Sequence, residues 1–399
     1  MTALPTPQTR EELTSLLTEA CELEHGLACS YLFAAFSLKQ RPIEGGVTTD
    51  QAHQVKFWAS QIFFVASQEM LHLAQAWNLL SAIGGTPYCL RPNLPQKSRY
   101  YPLHARIALE PFGVKSLKRF IVYETPANAA LPWVTRQAAL SHAEVERGHV
   151  TIGELYGAIA DGFRNITGLF DGNRGNQVDE QSVQFPDLVQ VSDTASALTA
   201  IQQITHQGEG TLADRADCHY GIFLGILTDF ERAQAAAGAS FQPVRRVMEN
   251  PVATSTNGYG AAAHPIKDAL TRDTAQLFDA VYFLMLQSLA FGFTPSLDAA
   301  RAARACAAAI ELMTTVIRPV GDVLTTLPAG VDNLNGGPAF GLTRSIALPA
   351  DPPLAIALIR ERLGDLGAVA ERLAGALPAA AQLAVAAGRL RDVAVRCVP

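Results

Sequence analysis

The chain is short of charge. Lys, Arg, Asp and Glu together make up 17% of its 399 residues, against 49% hydrophobic residues. Much of such a chain must lie in an interior, and its length allows one large or two ordinary cores. No basic block occurs and the formal charge is -6, which argues against nucleic acid as the main partner. The cysteines, Cys21, Cys29, Cys89, Cys218, Cys306 and Cys397, include no Cys-x-x-Cys and no regular framework. They read as mostly buried thiols of a reducing cytosol. Met1 to Pro7 lacks the basic-then-apolar order of a signal peptide. The most apolar run, Leu277 to Phe293, contains Asp279, Gln287 and Ser288 and is short for a bilayer span. The expectation is therefore a cytoplasmic chain outside any membrane. No internal repeat of fixed period is present.

What is there is concentrated in Gln68-Glu69-Met70-Leu71-His72. Three residues along an α-helix turn ~300° and rise ~4.5 Å, so Glu69 and His72 leave the same face and can hold one metal ion. This Glu-x-x-His element serves dinuclear carboxylate sites inside four-helix bundles. The flanks, Phe57 to Ala66 and Leu73 to Leu80, are apolar nearly all round, as in a buried helix. A carboxylate there needs compensation. The plainer alternative is a Glu69–Arg pair beside a core histidine.

In chain order, Thr9 to Lys39 reads as one long helix with Thr9 as N-cap and Glu11 and Glu12 in the first turn. Glu24 falls on its apolar stripe with Leu27, Tyr31 and Ala34, whereas Glu22 and His25 do not. Glu24 is read as inward and Glu22 as solvated. A second helix runs from about Thr49 to Ile83 and stops at Gly84-Gly85-Thr86-Pro87. A long Pro- and Tyr-rich connection follows. Leu117 to Glu124 is a short helix or turn. Its Glu124 is either a ligand or, more simply, a helix-end residue paired with an Arg.

The third bundle helix is expected over Ser141 to Asn165, with Glu144, Glu146, His149 and Glu154. Glu154 lies nearest the stripe of Ile152, Leu155, Ile159 and Phe163. A fourth helix starts at an Asp193 or Ser192 cap and reaches His206-Gln207-Gly208-Glu209-Gly210. Glycines on both sides of an acid imply a break that aims Glu209. A helix from Asp214 to Ala235 restarts with His219. Glu209 can converge with His219 if the chain folds back, or pair with His206 three residues before it. The remainder is expected as helices over about 266–292, 298–324, 354–376 and 379–396. These expectations make an all-α protein: a four-helix bundle over residues 1–235 and a C-terminal helical region over 236–399 packed on it.

Glu24, Glu69, Glu154 and Glu209, with His72 and His219, make four carboxylates and two imidazoles, the ligand count of a dinuclear site in a bundle core. Four carboxylates cannot share a dry interior without cations. Hard oxygen donors with two imidazoles suit iron or manganese better than structural zinc.

Glu24-His25, Gln68 to Leu73 with Asn78-Leu79-Leu80 and Ile83-Gly84-Gly85-x-Pro87, Thr151 to Tyr156, Gln207 to Gly210, His219-Tyr220 and Gly336 to Phe340 together resemble the ferritin-like domain of the iminophenyl-pyruvate dimer synthase family, which includes chromopyrrolate-type synthases. The resemblance covers about residues 10 to 345. It implies a ferritin-like four-helix bundle holding two iron ions, with manganese as the alternative. Carried over, Glu24, Glu69 and His72 make one half-site and Glu154, Glu209 and His219 the other. Glu69 and Glu209 would bridge, and Tyr31 and Tyr156 would be catalytic neighbours donating hydrogen bonds or electrons. The implied function is a non-haem dinuclear oxidoreductase using O₂ or peroxide on a small amino-acid-derived molecule in specialised metabolism. A homodimer is compatible with this reading. The alternative is a protein that binds and oxidises iron with no organic substrate. For a substrate pocket, Tyr31, Phe63, Trp77 and Tyr156 are expected around the metals, with Tyr282, Phe283, Phe291 and Phe293 closing over them.

Overall fold

The computed structural model describes residues 4–97, 106–126, 151–171, 177–183, 186–208, 216–254, 263–294, 297–342 and 348–396. Helix follows helix. The strands among the described residues are two-residue ladders: Gln96–Lys97 antiparallel to Arg106–Ile107, and Pro251–Val252 parallel to His264–Pro265.

Two long helices set the frame. Helix α1 spans Arg10–Ser37, and its N-cap Thr9 accepts a hydrogen bond from the Glu12 backbone N–H. Helix α2 spans Thr49–Ala82, with a capping box between Thr48 and Gln51. It ends where Gly84 takes a φ of +84°, a conformation that suits glycine and stops a helix. The two helices pack along each other; α1 is buried on most sides from Ala20 to Ser37 and α2 from Leu71 to Ala82, which explains why those stretches are apolar nearly all round. The flank from Phe57 to Ala66, expected to be buried, instead keeps one face open, with Phe57 and Phe64 exposed.

Shorter helices complete the bundle. Helix α3, Val114–Tyr123, packs along α6, His219–Ala237. Helix α4, Ile152–Asn165, packs along α5, Thr194–Gly208. Where one helix was expected over Ser141 to Asn165, α4 begins only after the cap Thr151. Glu144, Glu146 and His149 lie outside the described residues. So do Glu209 and Gly210, between α5 and α6.

The rest of the chain builds α7 (Ala269–Phe291), α8 (Ala299–Leu312), α9 (Arg318–Leu324), α10 (Pro352–Ala376) and α11 (Ala381–Arg396). A π-helical turn, Met313–Ile317, joins α8 to α9. Helix α7 is long and apolar enough to cross a membrane by length and composition, but 72% of its most apolar window is buried in the protein. The hydrophobic core runs without interruption from α1 to α11. Two glycines allow the close seating of the C-terminal helices on α1. A Cβ on Gly321 would fall 2.7 Å from the Phe36 ring, and one on Gly337 2.8 Å from Phe33. Arg245 locks the same junction by reaching Glu44, Asp322 and the Phe36 carbonyl at 2.7, 2.7 and 2.9 Å.

Candidate metal centre

Among the described residues, three carboxylates and two imidazoles meet between α1, α2, α3 and α6. Glu24 comes from α1, Glu69 and His72 from α2, Glu124 from the C-terminal end of α3 and His219 from the first position of α6. All five are at most 4% exposed. They form two triads that share Glu69: Glu24, Glu69 and His72, and Glu69, Glu124 and His219. Within each triad one donor atom per residue lies within 4.8 Å of the others.

His72 Nδ1 is 3.4 Å from Glu69 Oε2 and 3.6 Å from Glu24 Oε2. His219 Nδ1 is 2.8 Å from Glu69 Oε1 and 3.5 Å from Glu124 Oε2. These spacings suit atoms sharing a cation, since metal–ligand bonds of ~2.1 Å put adjacent donors ~3 Å apart. A second observation supports the fit. Glu69 Oε1 and His219 Nδ1 are buried and make no hydrogen bond despite their closeness. Buried polar atoms are rarely left so. Among the described residues, the ion pairs of the three carboxylates are with these histidines and not with Lys or Arg. The cluster can hold metal.

Without metal, protons compensate the charge. Burial pushes the Glu24 carboxyl up, and the nearby Glu69 charge adds to this against the opposing pull of His72, leaving it at about 7. Burial works against an imidazolium at His219, but Glu69 and Glu124 outweigh it and hold the group at about 9. His72 is likewise raised well above the usual histidine range, with burial opposed by Glu24 and Glu69. Glu69 shifts down: burial and Glu124 push it up, and the two histidines prevail. Two phenols complete the surround. Tyr156 donates to Glu24 Oε1 at 2.5 Å, and Tyr31 donates to Glu124 Oε1.

The expected ligands divide. The structure brings Glu24, Glu69, His72 and His219 together, with Tyr31 and Tyr156 against the carboxylates. Glu209 lies outside the described residues, directly after Gly208, where a Cβ would stand 3.4 Å from Glu124 Oε2. His206 is exposed on α5. Glu154 needs correction. It is exposed, its Oε2 accepts from the Thr151 N–H at 2.7 Å, and its N–H donates to Thr151 Oγ1 at 3.1 Å. Because α4 starts at Thr151, Glu154 occupies the third helical position and folds back onto the cap. Glu124 supplies the carboxylate instead. The Arg expected beside it is occupied elsewhere: Arg119 binds Glu110. The signal that could have found Glu124 is its place just before Thr125-Pro126, because a carboxylate at a helix break is aimed by the break. Glu22 points away from the cluster, but it is half-buried against Tyr88 rather than solvated.

The expected aromatic lining also disperses. Phe63 packs on Phe36 under the Arg318 guanidinium, and Trp77 packs on Phe293. Phe283 and Phe291 line a separate cavity of about 310 Å³ beside Tyr88. The space at the cluster is about 20 Å³, walled by Leu27, Tyr123, Ile152, Gly153, Ile204 and Gly208 among others. That is room for a molecule the size of water.

Comparison with known proteins agrees with this architecture. Residues 17–228 match the sequence profile of the ferritin-like family. A dichlorochromopyrrolate synthase from Lentzea aerocolonigenes is 30% identical over 84% of this chain, and a 2-imino-3-(indol-3-yl)propanoate dimerase from Chromobacterium violaceum is 28% identical over 83%. The matches cover 36% and 34% of those proteins, so the chain spans about a third of their length. These relatives are of the group whose motifs the sequence resembles. The crystal structure of a ferritin-like protein from Caulobacter vibrioides superposes with a TM-score of 0.52 at 22% identity, over 84% of this chain and all of that one. With the profile spanning more than half of its residues, the chain belongs to the ferritin-like family.

Proposed function

We propose that this chain is a dinuclear metal oxidoreductase, most simply di-iron, that uses O₂ or a peroxide on a small amino-acid-derived substrate. The observation that carries the reading is the sharing of Glu69 between two Glu/His triads, with Glu69 Oε1 and His219 Nδ1 facing each other, buried and without a hydrogen bond. Glu24 and His72 would hold one metal, Glu124 and His219 the other, and Glu69 both. Bound there, a reduced metal pair supplies the electrons for reducing an oxygen species. The chain's own groups would set the conditions. The apolar wall of Leu27, Ile152 and Ile204 excludes bulk water. The Tyr156 and Tyr31 hydroxyls hold protons on the outer oxygens of Glu24 and Glu124. The names of the relatives point to imino acids and chromopyrrolates, which motivates the amino-acid-derived substrate class. Such a molecule does not fit in about 20 Å³. Its approach would take the α4–α5 wall, at Gly153 and Gly208.

That small space also supports a second reading, a protein that oxidises iron alone. Anaerobic Fe(II) titration followed by oxygenation separates the two. The oxidoreductase should saturate at up to two metals per chain, consume O₂ stoichiometrically and retain its Fe(III). Tens of iron atoms per chain, in a large hollow oligomer, would establish the iron-storing alternative. Absence of metal uptake would end both.

A further inference from the structure

Each clustered histidine has two ring nitrogens with different surroundings. Nδ1 faces the carboxylates, whereas Nε2 meets a glutamine. His219 Nε2 lies 3.0 Å from Gln68 Oε1, and His72 Nε2 lies 2.9 Å from Gln207 Oε1. The arrangement is crossed. Gln68 stands on α2 next to Glu69 yet reaches the histidine of α6, and Gln207 stands on α5 yet reaches the histidine of α2. An amide carbonyl oxygen can only accept, so each Nε2 must carry a proton and donate it. In a neutral imidazole the other nitrogen then keeps its lone pair.

We infer that Gln68 and Gln207 are positioning residues: their amide carbonyls lock His219 and His72 in the Nε2–H tautomer and so aim both Nδ1 lone pairs at the carboxylates. A ligand histidine is commonly oriented through its second nitrogen by a carboxylate or a backbone carbonyl. Here the acceptor is a neutral side chain, and the local charge gives a reason. Among the described residues three carboxylates already share the cluster, and a further one beside the histidines would add like-charge repulsion in the metal-free protein, which a bound cation offsets. A glutamine orients the ring and adds no charge. The helical step explains how α2 manages both tasks, since adjacent residues point ~100° apart. Glu69 turns into the cluster while Gln68 passes beside it to the far edge of His219.

This inference rests on the cluster being a metal centre, and its test is separable from that of the proposed function. The probe is Zn(II), which is diamagnetic, on the full chain with ¹⁵N-labelled histidine. Long-range ¹H–¹⁵N spectra of the zinc-loaded protein should show two histidines bound through Nδ1 and protonated at Nε2. Competition titration with a chelator should find Zn(II) affinity lowered ~10–100-fold in Gln68→Leu and in Gln207→Leu. Gln68→Glu and Gln207→Glu keep an acceptor in place and should stay within a few-fold of wild type. Leucine variants that bind like wild type would overturn the inference. Glutamate variants as weak as the leucine ones would also do so, by reducing the glutamines to space-fillers. Coordination through Nε2 in the wild-type spectra would do the same even if the leucine variants failed to fold. If the wild type took up no metal, the proposed function would fall. The inference would fall with it, because without a cation each Nδ1 would keep a proton toward the facing carboxylates.

Discussion

Adjacent residues on α1 belong to two different buried polar regions. Glu24 enters the carboxylate–histidine cluster, whereas His25 turns to the C-terminal helices, where its Nε2 meets the Tyr282 hydroxyl at 2.5 Å. That hydroxyl also lies 3.2 Å from Cys29 Sγ, and Arg91 donates to Cys29 and to the Phe340 carbonyl. Glu22-x-x-His25 and Glu69-x-x-His72 have the same spacing, and His25, His72 and His219 are all buried, yet their shifts run in opposite directions. Burial and the nearby Arg91 charge hold His25 well below the ordinary range. Carboxylates hold His72 and His219 above it. Depth of burial therefore does not make a ligand site. Convergence of like charges away from Lys and Arg marks a candidate one, because crowded carboxylates in a dry interior need protons or a cation beside them.

The contrast can be broken most sharply at Glu69. Glu69→Ala should remove metal from both triads, by ~100-fold or more in affinity, as expected for a shared ligand against the ~10–100-fold typical of an outer one. Glu124→Ala should leave about one metal per chain. Elemental analysis after reconstitution reads both, and full occupancy in Glu69→Ala would refute the shared-ligand geometry.

Acidity should act on one region and spare the other. Below about 9 the metal-free His219 carries a proton that binding must displace. Each pH unit below that value should cost about tenfold in apparent metal affinity for that one proton. His72 adds to the same trend, and Glu24 steepens it below about 7. Competition titrations between pH 6 and 9 should therefore show affinity falling as pH falls, with protons released on loading. A flat profile would mean that the histidines enter metal binding already neutral.

The His25 region should respond in stability alone. His25→Ala leaves the Tyr282 hydroxyl short of a partner in a dry interior, at a cost of ~1–3 kcal/mol. Urea unfolding should reveal that loss while metal content stays at the wild-type level. Lost metal would show that the two faces of α1 are coupled. The smallest effect is expected at Glu154→Ala, which removes half of a capping box. About 1 kcal/mol of stability should go, with metal content unchanged. A strong loss of metal there would return Glu154 to the ligand set.

Much of this was legible before folding because it is local. The Thr9 cap, the Gly84 stop and the Asp193 start, where Asp193 Oδ1 accepts from the Ser196 N–H at 2.8 Å, each carry their own hydrogen bonds and need no distant partner. Glu24 could be told from Glu22 because a long helix has a readable apolar stripe. Glu69 and His72 announced themselves by spacing within an otherwise apolar helix. Glu124 was hidden because the stripe has no meaning at a helix end. Glu154 misled because the stripe ignores where a helix begins.

The sequence by itself determined an all-α chain, the two long helices and the acids and imidazoles on their inward faces, since periodicity and caps act over a few residues. Only the tertiary structure decided that the third carboxylate comes from Glu124, that the phenols of Tyr31 and Tyr156 divide between Glu124 and Glu24, and that Gln68 and Gln207 cross over to the histidines. Those choices depend on which ends of short helices meet α1 and α2. Packing of residues far apart in the chain sets that meeting, and no local pattern records it.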